Sequence, residues 1–232
     1  MSIPMRAGVI AIATVALGIG LSGCGSDTKT EESATTSPTS ETTSEAPTTT
    51  TSAEAGARKE TLQDYIKQNN ITETRAERGA PGSPTIELPT PDGWEDAGDN
   101  TPEWAYGAIM YTGDPALAED PPMIIAILSK LTGDVDQAKV LEYAEGEIQN
   151  LPEFDGPDTT TPGTLGGFDA VQISGTYTSK DGVTRTIAQK TVVIPGQDGL
   201  YVLQLNADGT QDQEKVLMDA TQAVDEETTI TT

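Results

Sequence analysis

Hydrophobic and polar positions divide the chain into three stretches. Residues 7–21 are predominantly apolar and uncharged, residues 25–57 hold no aromatic and no large aliphatic side chain, and from Arg58 onward apolar positions recur at helical and strand spacings. In "TLQDYIKQNN", Leu62, Tyr65 and Ile66 share one helical face, and Thr61 followed three residues later by Asp64 has capping-box spacing, so the pattern predicts a first helix. The Pro- and Gly-dense "GAPGSPTIELPTPDGW" predicts turns around a short extended "TIEL". "WAYGAIMYT" and "MIIAILSKL" predict two strands, with "GDPALAEDPP" as the loop of a wide hairpin between them. Residues 123–128 are apolar throughout, as in a central strand covered on both faces. In "VDQAKVLEYAEGEIQNL" a stripe of Val140, Leu141, Ala144, Ile148 and Leu151 predicts one helix, with Asp134 as its cap and Pro152 beyond its end.

Three further strands are predicted over residues 168–179, 183–194 and 200–206. "KDG" joins the first two and "PGQDG" the last two, so successive antiparallel pairing gives a meander. Val171, Ile173 and Tyr177 share one parity, as do Tyr201, Leu203 and Leu205, the alternation of half-buried strands. "DQEKVLMDATQAV" reads as an amphipathic helix with Leu217, Ala220 and Val224 inward. The expected class is α+β: residues 58–232 form one domain, an antiparallel sheet sandwiched by helices.

Charge narrows the range of partners. Lys and Arg number 13 against 37 Asp and Glu, a formal net charge of −24. Such a surface repels nucleic acid and favours a soluble, monomeric domain. Acidic residues are dispersed from Glu60 to Glu227 without a long single-sign block, the pattern of a solvated face.

Before the domain, Arg6 and the 15-residue apolar run 7–21 form a charged and an apolar region of a secretory signal over residues 1–23. A membrane-spanning helix needs about 20 apolar residues to cross ~30 Å of hydrocarbon, so the run suits a cleaved signal better than a retained anchor. Leu21, Ser22, Gly23 and Cys24 match a bacterial lipobox. Cys24, the single cysteine of the chain, is the expected lipidation site and first mature residue. Each buried methylene contributes ~0.8 kcal/mol, so the two or three acyl chains of a lipoprotein hold it at the outer, periplasmic face of the cell membrane. Residues 24–57 are then a tether. Of the 33 residues from 25 to 57, 17 are Ser or Thr, too little apolar area to offset ordering, and a flexible chain of that length spans roughly 30 Å.

Missing chemistry is as informative. Without histidine the chain cannot form a Ser-His-Asp triad, a Cys-His pair or a His-ligated zinc or iron site, and one cysteine forms neither an internal disulfide nor a thiolate cluster. "NADGTQDQE" hints at a calcium loop, yet the register puts Gln204 where the first acid belongs and Lys215 where the bidentate Glu belongs, so a strand-to-helix turn is expected. Ser129 and Lys130 are adjacent on a predicted strand and point to opposite faces, which excludes a direct nucleophile–base pair. No phosphate loop or GxSxG elbow is present. The sequence therefore predicts a noncatalytic protein with no cofactor and no metal. Candidate ligand contacts are Trp94, Trp104, Tyr106, Tyr111 and Tyr177, whose apolar rings and polar tips suit the lip of a pocket holding an acyl chain and a sugar together. Core packing is the competing use for each.

"TLQDYI", "PPMIIAILSKLTGDVD", "YAEGEIQNLPEF", "RTIAQKTVVIPGQDGLYVLQLNADG" and "DEETTI" resemble the mycobacterial LpqN/LpqT lipoprotein family, over essentially all of residues 61–230. The resemblance implies a Mog1/PsbP-like fold and a cell-envelope lipoprotein without assigned catalysis, some members being associated with transport of trehalose-linked mycolic lipids. The family offers no catalytic motif to carry over, and only the lipobox transfers residue by residue. Two roles follow as expectations: binding an amphipathic glycolipid, or docking a basic loop of an envelope transporter or assembly factor through the acidic face. Salt should weaken the second and barely affect the first.

Overall fold

The structure, a computed structural model, describes residues 58–232; the expected signal, the lipobox with Cys24 and the tether lie outside the described residues. The chain begins with α1 (Leu62–Gln68), β1 (Thr72–Arg75), β2 (Thr85–Glu87) and β3 (Trp94–Asp96). The hairpin β4 (Gly107–Tyr111) and β5 (Met123–Thr132) follows, then α2 (Gln137–Tyr143) and α3 (Gly146–Gln149). The last part runs through β6 (Thr161–Leu165), β7 (Phe168–Thr178), β8 (Thr184–Gly196), β9 (Gly199–Thr210), α4 (Glu214–Glu227) and β10 (Thr229–Thr231).

The main sheet has the order β3-β4-β5-β9-β8-β7-β6, with β1 pairing the far half of β5; β10 and β2 form a separate two-stranded sheet. All these pairs are antiparallel. The α+β class and the two helical layers are as expected. One sheet face packs under α4, where Leu217, Ala220 and Val224 meet Ile124, Leu128, Val192, Leu203 and Leu205. On the opposite face, Leu62, Tyr65, Ile66 and Val140 of α1 and α2 pack on Leu131, Val193 and Val202, while Ile148 of α3 packs on Ile173 and Ile187.

Local chemistry fixes the first helix as its sequence predicts. Thr61 Oγ1 accepts from the Asp64 amide at 3.2 Å, and Asp64 Oδ2 accepts from the Thr61 amide at 2.9 Å. The bond from the Thr61 amide, a second from the Thr61 hydroxyl to Asp64 Oδ2 at 2.8 Å and one from Arg58 hold the Asp64 carboxyl down at about 2.

Four details differ from the sequence reading. The helix predicted across residues 135–151 is two pieces, and its N-cap is Asp136, whose Oδ1 accepts from the Ala138 and Lys139 amides; Asp134 lies two residues too early. The split falls at residues 144 and 145, just before Gly146, where the chain passes so close to Glu60 that an added Cβ would lie 2.0 Å from the Glu60 carbonyl oxygen. β9 is not half-buried but covered on both faces, because it sits between β5 and β8 and buries Leu200 and Val202 as well as Tyr201, Leu203 and Leu205. It also continues through "NADGT", so the expected turn starts only at Gln211. Four short strands, β1, β3, β6 and β10, were absent from the sequence reading. β6 contains Pro162 and lies at the sheet edge, where a missing N–H costs no ladder bond.

Candidate functional site

The five aromatic candidates separate into three environments. Tyr106 is a core residue: its hydroxyl accepts from the Ile86 amide at 3.1 Å and donates to the Pro84 carbonyl at 3.4 Å, pinning β2 over the sheet. Trp104 is partly buried on the face opposite α4, packed on the cluster of Ala97, Ala108, Met123 and Ile125. Tyr177, on that same face, donates to Asp208 Oδ2 at 2.8 Å. Burial and the Asp208 charge push its phenol well above the usual range, so it stays a neutral donor.

Trp94 and Tyr111 come together. They are register partners across β3 and β4, with ring centres 5.8 Å apart and planes tilted by 60°. Glycine shapes this corner. An added Cβ at Gly93 would stand 2.7 Å from the Tyr111 ring and one at Gly113 would stand 2.8 Å from it, so the ring lies flat across a backbone stripped of side chains. Gly93 also has φ +80°, a left-handed conformation that glycine adopts without strain.

These two rings line a groove of about 510 Å³ between the sheet edge and α4, within the ~300–1,000 Å³ typical of small-molecule sites. Its apolar wall is completed by Pro91 and, from α4, by Val216, Ala220 and Ala223. The helix positions follow a three-to-four spacing, one stripe facing the rings. Asp92, Asp219 and Glu227 stand around it, and no Lys or Arg is among its lining residues. A groove of mixed surface, with an apolar wall beside carboxylates, favours aliphatic or ring carbon against that wall and hydroxyl donors at the carboxylates, and it disfavours phosphate or sulfate.

Two polar features on the opposite face escaped the sequence reading. In the first, Arg185 donates to Asp208 Oδ1 from Nε at 2.7 Å and to Asp120 Oδ2 from Nη1 at 2.6 Å. Burial alone would lower the Arg185 pKa, but the bonds to Asp120 and Asp208 outweigh it and hold the cation well above its ordinary value. Gln213 Nε2 donates to the Asp120 carbonyl at 2.8 Å, so the hairpin loop is fastened to the sheet and to the start of α4.

The second lies at the middle of the sheet, where register places Ile125, Asn206 and Gln189 in one cross-strand row and Ile127, Gln204 and Thr191 in the next. Gln189 Nε2 donates to Asn206 Oδ1 at 2.9 Å, and Gln204 Nε2 donates to Glu147 Oε2 at 3.3 Å. Burial, with the Glu73 and Asp64 charges, raises the Glu147 pKa above its ordinary 4.5, despite the Gln204 bond. A carboxyl whose pKa is higher folded than unfolded contributes its full stability below the unfolded value and loses it as pH rises through the folded one. Glu147→Gln is thus expected to stabilise the domain by about 1 kcal/mol at neutral pH and to change little below pH 4.5, checked by thermal melts across pH.

Comparison with known proteins gives the family and agrees with the fold. Residues 58–231 match the family described as "Probable lipoprotein LpqN". Lipoprotein LpqN of Mycobacterium tuberculosis (strain ATCC 25618 / H37Rv) is 55% identical over 224 residues, covering 95% of this chain and 97% of that protein. The crystal structure of LpqN "involved in cell envelope biogenesis of Mycobacterium tuberculosis" superposes with a TM-score of 0.69 at 54% identity, covering 75% of this chain and 99% of that one. On the match across the whole folded domain, the chain belongs to the LpqN lipoprotein family.

Proposed function

We propose that this protein is a noncatalytic envelope lipoprotein, anchored through acylated Cys24, whose domain holds a neutral amphipathic glycolipid, of the trehalose-mycolate kind, during envelope biogenesis. The observation that carries the reading is the groove between Trp94, Tyr111 and α4, where apolar rings and methyl groups adjoin polar surface that holds carboxylates and no basic residue. Acyl carbon lies against Pro91, Val216, Ala220 and Ala223, and sugar hydroxyls donate to Asp92 and Glu227 at the rim. The relative that shares 54% identity is described as acting in cell envelope biogenesis, which supports the setting.

The test is a groove-filling variant. Ala223→Trp puts an indole into the slot from a partly buried helix position, and is expected to weaken binding of an alkyl glycoside by at least about tenfold in calorimetry while the melt stays cooperative. Equal affinity in the two proteins would remove the groove from the proposal. An adaptor role, docking a basic loop of an envelope transporter on the acidic rim, would instead show affinity falling steeply with salt.

A further inference from the structure

We propose that Gln189, Thr191, Gln204, Asn206 and Glu147 form a second binding site, for a small neutral polyol, on the sheet face opposite the groove. The sheet itself separates this site from α4, so a molecule in the groove does not reach it.

The argument starts from unmet hydrogen bonds. Gln189 is 4% exposed and Thr191 1%, yet Gln189 Oε1 and Thr191 Oγ1 have no partner among the described residues. A buried polar atom left unpaired is destabilising, whereas valine in place of Thr191 would leave nothing unpaired. One N–H of the Gln189 amide is engaged by Asn206 and one of the Gln204 amide by Glu147. Each amide has a second N–H and the Thr191 hydroxyl both donates and accepts, so a partner that donates to Gln189 Oε1 and also accepts would complete the cluster.

Its chemical class follows from the surroundings. Arg185 of β8 is occupied by Asp120 and Asp208, and Arg75, the register partner of Ser129, by Glu77 and the Glu103 carbonyl, so an anion finds no free counter-charge from either. One carboxylate among three amides and a hydroxyl is too few for a metal ion. Planar amides beside a carboxylate match adjacent hydroxyls, each of which both donates and accepts. Gln204 and Asn206, the register partners of the buried pair, are only partly buried, as are Ile127, Ser129 and Trp104 on the same face. Trp104 beside Ile127 offers the apolar surface that sugar C–H groups pack on.

The test follows the side-chain amide resonances of Gln189, Gln204 and Asn206 in the nitrogen-15-labelled full chain, titrated with maltose and in parallel with glucuronate. Saturable shifts of these amides with maltose and not with glucuronate are expected, and Ala223→Trp should leave them intact, so failure of the groove and failure of this site are distinguishable. Gln189→Leu removes the unpaired acceptor at similar volume; it should keep the fold and weaken maltose by about tenfold or more. Thr191→Val, an isosteric change, serves the same purpose should the leucine variant not fold. The proposal is overturned by no saturable shift in the wild-type chain, which leaves the cluster to ordered water, by equal shifts with glucuronate, or by unchanged affinity in the folded variant.

Discussion

Arg185→Met is expected to lower the unfolding free energy by about 2–3 kcal/mol, measured by urea denaturation at neutral pH. The side chain of Arg185 is 14% exposed and that of Asp208 28%. Removing the cation leaves Asp208 without a counter-charge, and burial then acts on its carboxylate against the Tyr177 hydrogen bond alone. Asp120, at 44% exposure, keeps more solvent and contributes less to the loss, since screening weakens what its pairing is worth. Protonation relieves the defect, so the gap between variant and wild type should narrow as pH falls through the raised Asp208 value. A second substitution, Asp208→Asn, should restore part of the loss, and the cycle of the two isolates the pair. A gap that stayed constant with pH would mean that Arg185 acts by packing alone.

Gly146→Ala is expected to cost about 2–3 kcal/mol although it exchanges a glycine for the best helix former. The new Cβ would sit 2.0 Å from the Glu60 carbonyl oxygen, 2.8 Å from its carbon and 3.1 Å from Thr61 Cα. All three are backbone atoms, so relief requires moving the segment that carries the Thr61 cap of α1. Gly163→Ala is the control: its Cβ meets nothing within 4 Å, and the change should stay within about 0.5 kcal/mol. Thermal melts of both variants decide the matter. Equal stability would show that the start of the domain yields freely to α3.

Elements whose information is local were legible in the sequence. Leu62, Tyr65 and Ile66 on one face, with Thr61 and Asp64 at cap spacing, specify α1 without reference to the rest of the chain. The unbroken apolar run of β5 specifies a central strand for the same reason. β3 and β6 are short or carry Pro162 and Gly163, and pair only because neighbours present open edges, so no periodic signal marks them. Once β3 is missed, the Trp94–Tyr111 pair that makes the groove is invisible too. The Arg185 cluster joins positions 23 and 65 residues away, and nothing in the local sequence tells which carboxylates a given arginine will meet. Gln189, Thr191, Gln204 and Asn206 read as polar, outward positions, and only the helices on that face turn them inward.

The place of β9 governs the order in which the molecule can be assembled. This strand lies between β5 and β8, yet it ends only at Thr210 of 232 residues, and Thr229–Thr231 must still return to pair with Thr85–Glu87. A chain emerging amino end first has two half-sheets and no keystone until nearly its whole length is free, because distant segments have to meet before burial rewards them. Such a polypeptide completes its sheet only when its last strands arrive.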